Sequence, residues 1–159
     1  ASKNMEHVAS ITLVGYDAKG LSSEEIARRK QMITMLNSGE FKPDNPAYFA
    51  RFVHTTHQEN PDVMGVVQSM AEDLGKNTLV GHTQATTPRE DLIKVFAKSK
   101  VPVNIIAADD DEITPLGSLQ AMADKIPTSN IYKVENSGHM MLLEQPEKLA
   151  ALLSKCIDV

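Results

Sequence analysis

The sequence is poor in several features that mark particular classes of protein. It contains one cysteine, Cys156, so no disulfide can form within the chain. This is compatible with a reducing compartment, and we expect a cytoplasmic protein. No apolar run approaches the ~20 residues that cross a bilayer. The 16 Lys and Arg residues are scattered and the net charge is −5, so we expect neither nucleic acid nor a membrane as a partner.

What is present is typical of one ordered domain. The chain has 159 residues, of which 42% are hydrophobic and 23% are charged, a composition that can bury a real core. It opens on Ala1 instead of methionine, which fits a processing product or a piece of a longer protein.

Three short apolar segments rich in β-branched residues predict buried strands at Val8–Val14, Val101–Ala108 and Ile131–Val134. Helical patterns separate these strands. The alternation of strand and helix implies a parallel sheet with right-handed crossovers, interrupted by a helical insertion.

The helical insertion has clear boundary signals. Ser22 and Glu25 fit a capping box, and Gly39 offers a C-terminal stop, so a first helix is predicted between them. A later helix begins near Pro61, and Gly75 lies where a left-handed cap belongs.

The last third of the chain carries three more helix starts. Thr87-Pro88 combines an N-cap with a proline at the first helical position, which predicts a helix over Asp91–Lys98. Thr114-Pro115 predicts a helix that reaches Lys125, and Pro146 opens a last helix.

Chemically useful side chains follow two of the predicted strands. Asp109, Asp110 and Asp111 come directly after the second strand, and His139 follows the third by a few residues. The carboxyl ends of parallel strands meet at one edge of a sheet. A carboxylate there can hold the tautomer of an imidazole and stabilise its charged form.

The same two segments resemble the C-terminal portion of the α/β-hydrolase family, especially esterases and enol-lactonase-like hydrolases. The run Val101–Pro115 resembles the family's strand-then-acid signature, and Ser137–Pro146 resembles its histidine loop. The resemblance implies that Asp111 takes the place of the triad acid, with Asp110 as the alternative, and that His139 takes the place of the base.

The resemblance also implies an architecture. We expect a three-layer αβα parallel-sheet fold, the C-terminal part of an α/β-hydrolase with a helical cap insertion. Residues 1–20 would supply the first core strand and the following loop, residues 21–86 the cap, and residues 87–159 the C-terminal core segment, all within one structural domain.

The family's nucleophile elbow, G-x-S-x-G, is not found in this sequence. The nearest imitation is Gly81–Ala85, where Thr83 replaces the serine and alanine replaces the closing glycine. The alternative interpretation of this segment is the connection that leads from the cap back into the core.

Two other groups of residues allow competing interpretations. The three aspartates suggest a divalent metal site, but no glycine-bearing calcium loop accompanies them. His54 and His57 have a spacing compatible with zinc, but a third ligand is not evident, which favours an ordinary cap surface. We therefore expect no metal and no cofactor. Methionines beside His139 fit either core filler or an acyl pocket.

The resemblance implies hydrolysis of an ester, lactone or similar acyl bond of a small-molecule substrate. Because the elbow is missing, we expect the chain to be inactive alone. The alternative is a non-catalytic interaction or assembly module derived from this fold. In both cases the first strand would be an unpaired edge, which favours self-association or pairing with the missing N-terminal portion.

Overall fold

The computed structural model describes residues 5–40 and 46–157 and contains a three-stranded parallel sheet. The strands are β1 (Ile11–Val14), β2 (Val103–Ala108) and β3 (Ser129–Val134). They lie in the order β1-β2-β3, so β2 is central. The register pairs Ile11 with Val103 and Val103 with Ser129. The predicted parallel sheet is confirmed.

β1 is shorter than the predicted strand Val8–Val14. The backbone N–H of Ile11 donates to the carbonyl of Pro102 at 2.9 Å, which is the first bond of the ladder. Pro102 has no N–H with which to extend the ladder backwards. The strand therefore begins at Ile11.

The described residues also contain seven α-helices and two single turns of 3-10 helix, Met5–His7 and Thr55–His57. The α-helices are α1 (Ser23–Ser38), α2 (Pro46–Ala50), α3 (Pro61–Ala85), α4 (Ile93–Lys98), α5 (Leu116–Ala123), α6 (Met141–Glu144) and α7 (Pro146–Ile157).

The boundaries of α1 are the predicted ones. The Ser22 hydroxyl accepts from the Glu25 N–H at 3.2 Å, and the Glu25 carboxylate accepts from the Ser22 N–H at 2.8 Å. Hydrogen bonds from Ser22 to the Glu25 carboxylate lower the pKa of Glu25 below its usual value, and the bond from the Ser22 backbone N–H has the largest effect. Gly39 ends the helix with a left-handed φ of 81°.

α3 extends beyond the predicted stop at Gly75. This glycine has φ 64° and ψ 179°, a conformation essentially restricted to glycine, so the predicted positive φ is present. The chain then resumes the helix and continues to Ala85. α3 therefore consists of two helices that meet at Gly75, and the helix that begins at Pro61 ends at the predicted position.

α4 begins at Ile93, later than the predicted Asp91. The residues before it make tertiary bonds instead of helical ones. The Leu92 N–H donates to the Ala18 carbonyl at 2.9 Å, and the Arg89 carbonyl accepts from the Leu21 N–H at 3.3 Å. These contacts attach the segment to the loop after β1.

The two faces of β2 are covered by different helices, which gives three layers. Val103, Ile105 and Ala107 pack in one cluster with side chains of α4 and α5. Ile106 and Ala108 pack in another cluster, with side chains of α6 and α7. A separate apolar cluster joins α2 to α3. The core of the molecule is thus a helix–sheet–helix sandwich that carries a helical segment, α1 to α3.

Candidate active site

The structure brings Asp111 and His139 together at the carboxyl end of the sheet. Asp111 Oδ2 lies 2.8 Å from His139 Nδ1. Asp111 Oδ1 accepts from the N–H groups of Ile113 at 2.7 Å and Thr114 at 2.8 Å. The Asp111 side chain is wholly buried, whereas that of His139 is 29% exposed. The carboxylate is therefore fixed on both oxygens, and the imidazole reaches solvent.

The three consecutive aspartates have different surroundings. Asp109 accepts from the N–H groups of Asn136 and Ser137, both at 3.1 Å. Partial burial raises the pKa of Asp109, but the bonds from Ser137 and Asn136 outweigh it, and the pKa lies below the usual value. Asp110 is exposed and lies 3.9 Å from His54 Nε2. Only Asp111, of the three, contacts His139.

Glu144 attaches the histidine loop to the helical segment. Its carboxylate accepts from the backbone N–H of Gly138 at 3.0 Å and from that of His54 at 2.7 Å. The residue is only 6% exposed. A buried carboxylate with several N–H donors is satisfied without a cationic partner.

Two glycines allow neighbouring groups to pack closely around His139 and its loop. Gly15, at the end of β1, has φ 54°, and a Cβ there would lie 3.6 Å from the His139 ring and 3.2 Å from Met141 Cε. A Cβ on Gly138 would lie 2.7 Å from the backbone nitrogen of His54. The Gly15 carbonyl also accepts from the Thr114 hydroxyl at 3.0 Å, which ties β1 to the acidic turn.

An apolar cavity of about 200 Å³ lies within the helical segment. Met140 and Phe52 are among the residues that line it, and the Phe52 ring is 6.1 Å from the His139 ring. The Met140 N–H donates to the Phe52 carbonyl at 3.0 Å. Met141, in contrast, is buried in the core against β2. Of the two methionines beside His139, only Met140 faces this cavity.

A second cavity, of about 320 Å³, has His139 in its wall. Most of its lining is polar and comes from the loop after β1, from α1 and from the start of α5.

The segment Gly81–Ala85 forms the last turns of α3 and not a strand-to-helix elbow. Thr83 is buried, and its hydroxyl donates to the Leu79 carbonyl at 2.8 Å. The hydroxyl is thus used within the helix.

His54 and His57 lie with ring centroids 6.4 Å apart. His54 Nδ1 is 2.8 Å from the Thr56 hydroxyl, and His57 Nε2 is 3.2 Å from the Asn136 carbonyl. Within residues 5–40 and 46–157, no cluster of three or more His, Cys, Asp or Glu side chains is placed to hold a metal ion. Across the same ranges, no helix combines the length and apolarity needed to cross a membrane.

Sequence reasoning missed Glu144, Gly15 and Gly138 as residues that shape the site. A weak signal existed for Glu144, because it ends the otherwise apolar run from Met140. The glycines could not be distinguished from ordinary loop glycines, since their role depends on the groups that face them, which are side chains at Gly15 and backbone at Gly138.

Solved structures with the same fold are known enzymes. An esterase from Thermogutta terrifontis superimposes with a TM-score of 0.83 at 19% identity, over 98% of this chain and 58% of that one. The enol-lactonase from Burkholderia xenovorans superimposes with a TM-score of 0.73 at 15% identity, over 100% of this chain and 60% of that one. The fold is therefore that of an α/β-hydrolase, and these residues correspond to its C-terminal portion.

The family follows from the sequence itself. A family profile matches residues 1–157, and the chain belongs to the Ndr family. A segment of 56 residues is 36% identical to the monoacylglycerol lipase ABHD6 of Bos taurus, covering 35% of this chain and 17% of that protein. The chain spans about three fifths of the length of the solved structures and about one sixth of the curated relative.

Proposed function

We propose that this chain supplies the acid and base of an acyl hydrolase that cleaves an ester or lactone bond of a small molecule. The single observation that carries the proposal is the 2.8 Å contact between Asp111 Oδ2 and His139 Nδ1, with Asp111 fixed by two further N–H donors. Hydrolase neighbours of the same fold support it.

The roles follow from the geometry. His139 accepts the proton of the attacking hydroxyl through Nε2 and returns it to the leaving group. Asp111 orients the ring through Nδ1 and stabilises the imidazolium form. The nucleophile and the oxyanion donors come from residues outside this sequence, which has no elbow. The helices of residues 21–86 serve as the cap that covers the substrate.

Ester turnover tests the proposal. The complete gene product should hydrolyse p-nitrophenyl butyrate, and His139→Ala should lower kcat/KM by about 10³-fold or more. His7→Ala, at an exposed histidine in the 3-10 turn Met5–His7, should leave it unchanged. The 159-residue chain alone should give no turnover. Turnover by this chain that disappears in Thr83→Ala would overturn the assignment of the nucleophile.

A second candidate, a non-catalytic assembly module, is supported by the free side of β1. Ile11 and Gly15 donate their N–H groups toward β2, so the N–H and C=O groups of Thr12 and Val14 face away from it. In the described sheet β1 is an edge strand. Such an edge pairs readily with a second copy or with an N-terminal portion of the same fold.

Light scattering tests whether the chain acts as an assembly module. The chain should form dimers or larger species, and Thr12→Pro should reduce them, because it removes an outward N–H without breaking the ladder to β2. Leu13→Pro, which removes a ladder N–H, is the control and should unfold the chain. A monomer at every concentration, together with ester turnover by the complete gene product, would leave only the hydrolase proposal.

A further inference from the structure

The polar cavity beside His139 contains more cationic than anionic side chains. Lys19, Arg29 and Arg89 line it, together with the carboxylates of Asp17 and Glu25. The whole chain, in contrast, has 21 acidic and 16 basic residues. The cavity is thus locally positive on an acidic protein.

The two carboxylates already accept hydrogen bonds from other groups of the protein. Asp17 accepts from the Ser118 hydroxyl at 2.5 Å and from the Lys19 N–H at 2.9 Å. Glu25 accepts from the Ser22 N–H as part of the capping box of α1. Neither lies within ion-pair distance of a cation of the cavity, among the residues that the structure describes.

The two arginines are half-buried and held in place, yet have no carboxylate partner among those residues. Arg29 Nη1 donates to the Thr86 hydroxyl at 3.0 Å. Arg89 Nε donates to the Lys19 carbonyl at 3.2 Å, and its guanidinium lies 5.2 Å from the Tyr16 ring centroid.

A guanidinium carries five N–H donors, so most of the donors of both arginines remain available. A charge that is withdrawn from water, for example when a ligand fills the cavity, is stabilised by a partner of opposite sign. Guanidinium groups recognise planar oxyanions, in particular carboxylates, through paired hydrogen bonds.

We propose that this cavity binds an ionised carboxylate of the substrate, held by Arg29 and Arg89, so that the substrate class is an ester or lactone that carries a second, free carboxylate. The inference rests on the proposed function, because it assigns the substrate of the same site. A cavity of about 320 Å³ lies at the small end of ligand sites and suits a short acid. One end of such a substrate is anchored by the arginines while its acyl bond lies near His139.

Binding and turnover are measured separately. Calorimetric titration of the 159-residue chain with monomethyl succinate should give saturable binding, and methyl butyrate, which lacks the carboxylate, should bind at least about tenfold more weakly. Arg29→Gln and Arg89→Gln should each lower the affinity for monomethyl succinate by about tenfold or more. Arg29→Lys and Arg89→Lys should retain part of that affinity, because they keep the positive charge.

Arg28→Gln is the matched control, because Arg28 is adjacent on α1 but exposed and paired with Glu24 at 3.5 Å. It should leave the affinity unchanged. Equal binding of the charged and neutral esters, an equal loss in Arg28→Gln, or tighter binding of inorganic phosphate than of monomethyl succinate would each overturn the carboxylate site. Circular dichroism of each variant identifies any that has unfolded, and the Lys variants then provide the test.

His139→Ala separates the two proposals. It should abolish turnover by the complete gene product, and the variant should still bind monomethyl succinate more tightly than methyl butyrate. Carboxylate binding without any turnover would overturn the hydrolase proposal alone. Turnover that does not prefer monomethyl succinate over methyl butyrate would overturn the carboxylate site alone.

Discussion

The side-chain carboxylate of Glu144 accepts a hydrogen bond of 2.7 Å from the backbone N–H of His54. The same carboxylate accepts from the N–H of Gly138, the residue directly before His139. One buried side chain therefore links the histidine loop to the helical segment. The position of His139 therefore depends on a residue that lies outside the contact between Asp111 and His139.

Replacing Glu144 should destabilise the protein. Glu144→Ala leaves two N–H groups without an acceptor, and each such group costs about 1–3 kcal/mol when it remains buried. We expect the free energy of unfolding, measured in urea, to fall by about 2–4 kcal/mol. Glu147→Ala, at an exposed carboxylate in the first turn of α7, is the control and should change it by less than about 0.5 kcal/mol. Equal effects of the two variants would contradict this role of Glu144.

Gly138 and Gly117 should respond to alanine with opposite signs. A Cβ on Gly138 would lie 2.7 Å from the backbone nitrogen of His54 and 3.0 Å from the Phe52 carbonyl oxygen, so the loop must move. We expect Gly138→Ala to lower the free energy of unfolding by about 1–3 kcal/mol. Gly117 lies in α5 with open space around its Cα, so Gly117→Ala should raise it by about 0.5–1 kcal/mol. Thermal unfolding of both variants is the measurement, and a stabilised Gly138→Ala protein would contradict the contact.

Asp109 should make the free energy of unfolding depend on pH in the acidic range. Its folded pKa is lowered, so its contribution is complete well above the unfolded value of 3.8 and disappears as the pH falls through the lower folded value. The difference in unfolding free energy between the native chain and Asp109→Asn should therefore be constant near neutral pH and shrink as the pH falls below the unfolded value of 3.8. Asp110→Asn, at the neighbouring exposed carboxylate, is the control. A difference that stays constant down to about pH 2 would argue against the two N–H bonds.

Asp111→Asn should impair the complete gene product far more than Asp110→Asn. The amide cannot hold the imidazole tautomer that accepts the nucleophile's proton, so we expect kcat for ester hydrolysis to fall by about 10³–10⁴-fold. Asp110→Asn should change kcat by less than about threefold, since Asp110 does not contact His139. The reverse order would assign the acid's role to Asp110.

Much of the fold could be predicted from local patterns. The capping box at Ser22 and the stop at Gly39 depend on a few neighbouring residues, and α1 begins and ends where they indicate. The start of α4 could not be predicted, because Arg89 and Leu92 bond to the distant loop that follows β1. The interruption of α3 at Gly75 was also predicted, whereas the second helix, which follows Gly75 and ends at Ala85, was not.

The candidate site could also be predicted only in part. Strand ends place His139 and the aspartates at one edge of the sheet, which the sequence pattern indicated. The sequence pattern alone does not distinguish the three adjacent aspartates that follow β2. What separates them is the direction of each side chain: Asp109 turns to the Asn136 turn, and Asp111 turns inward to His139. The arginines of the polar cavity come from α1 and from the segment before α4, which no local spacing connects.

Both members of the acid–base pair belong to one continuous unit, from β2 through α5 and β3 to the histidine loop. Their separation of 28 residues is spanned by a single crossover, and the bonds that fix Asp111 arise within three residues of it. A cut upstream of Val103 would therefore keep both residues on one piece, but that piece would lose the backbone groups of Phe52 and His54 that bond to the histidine loop and to Glu144.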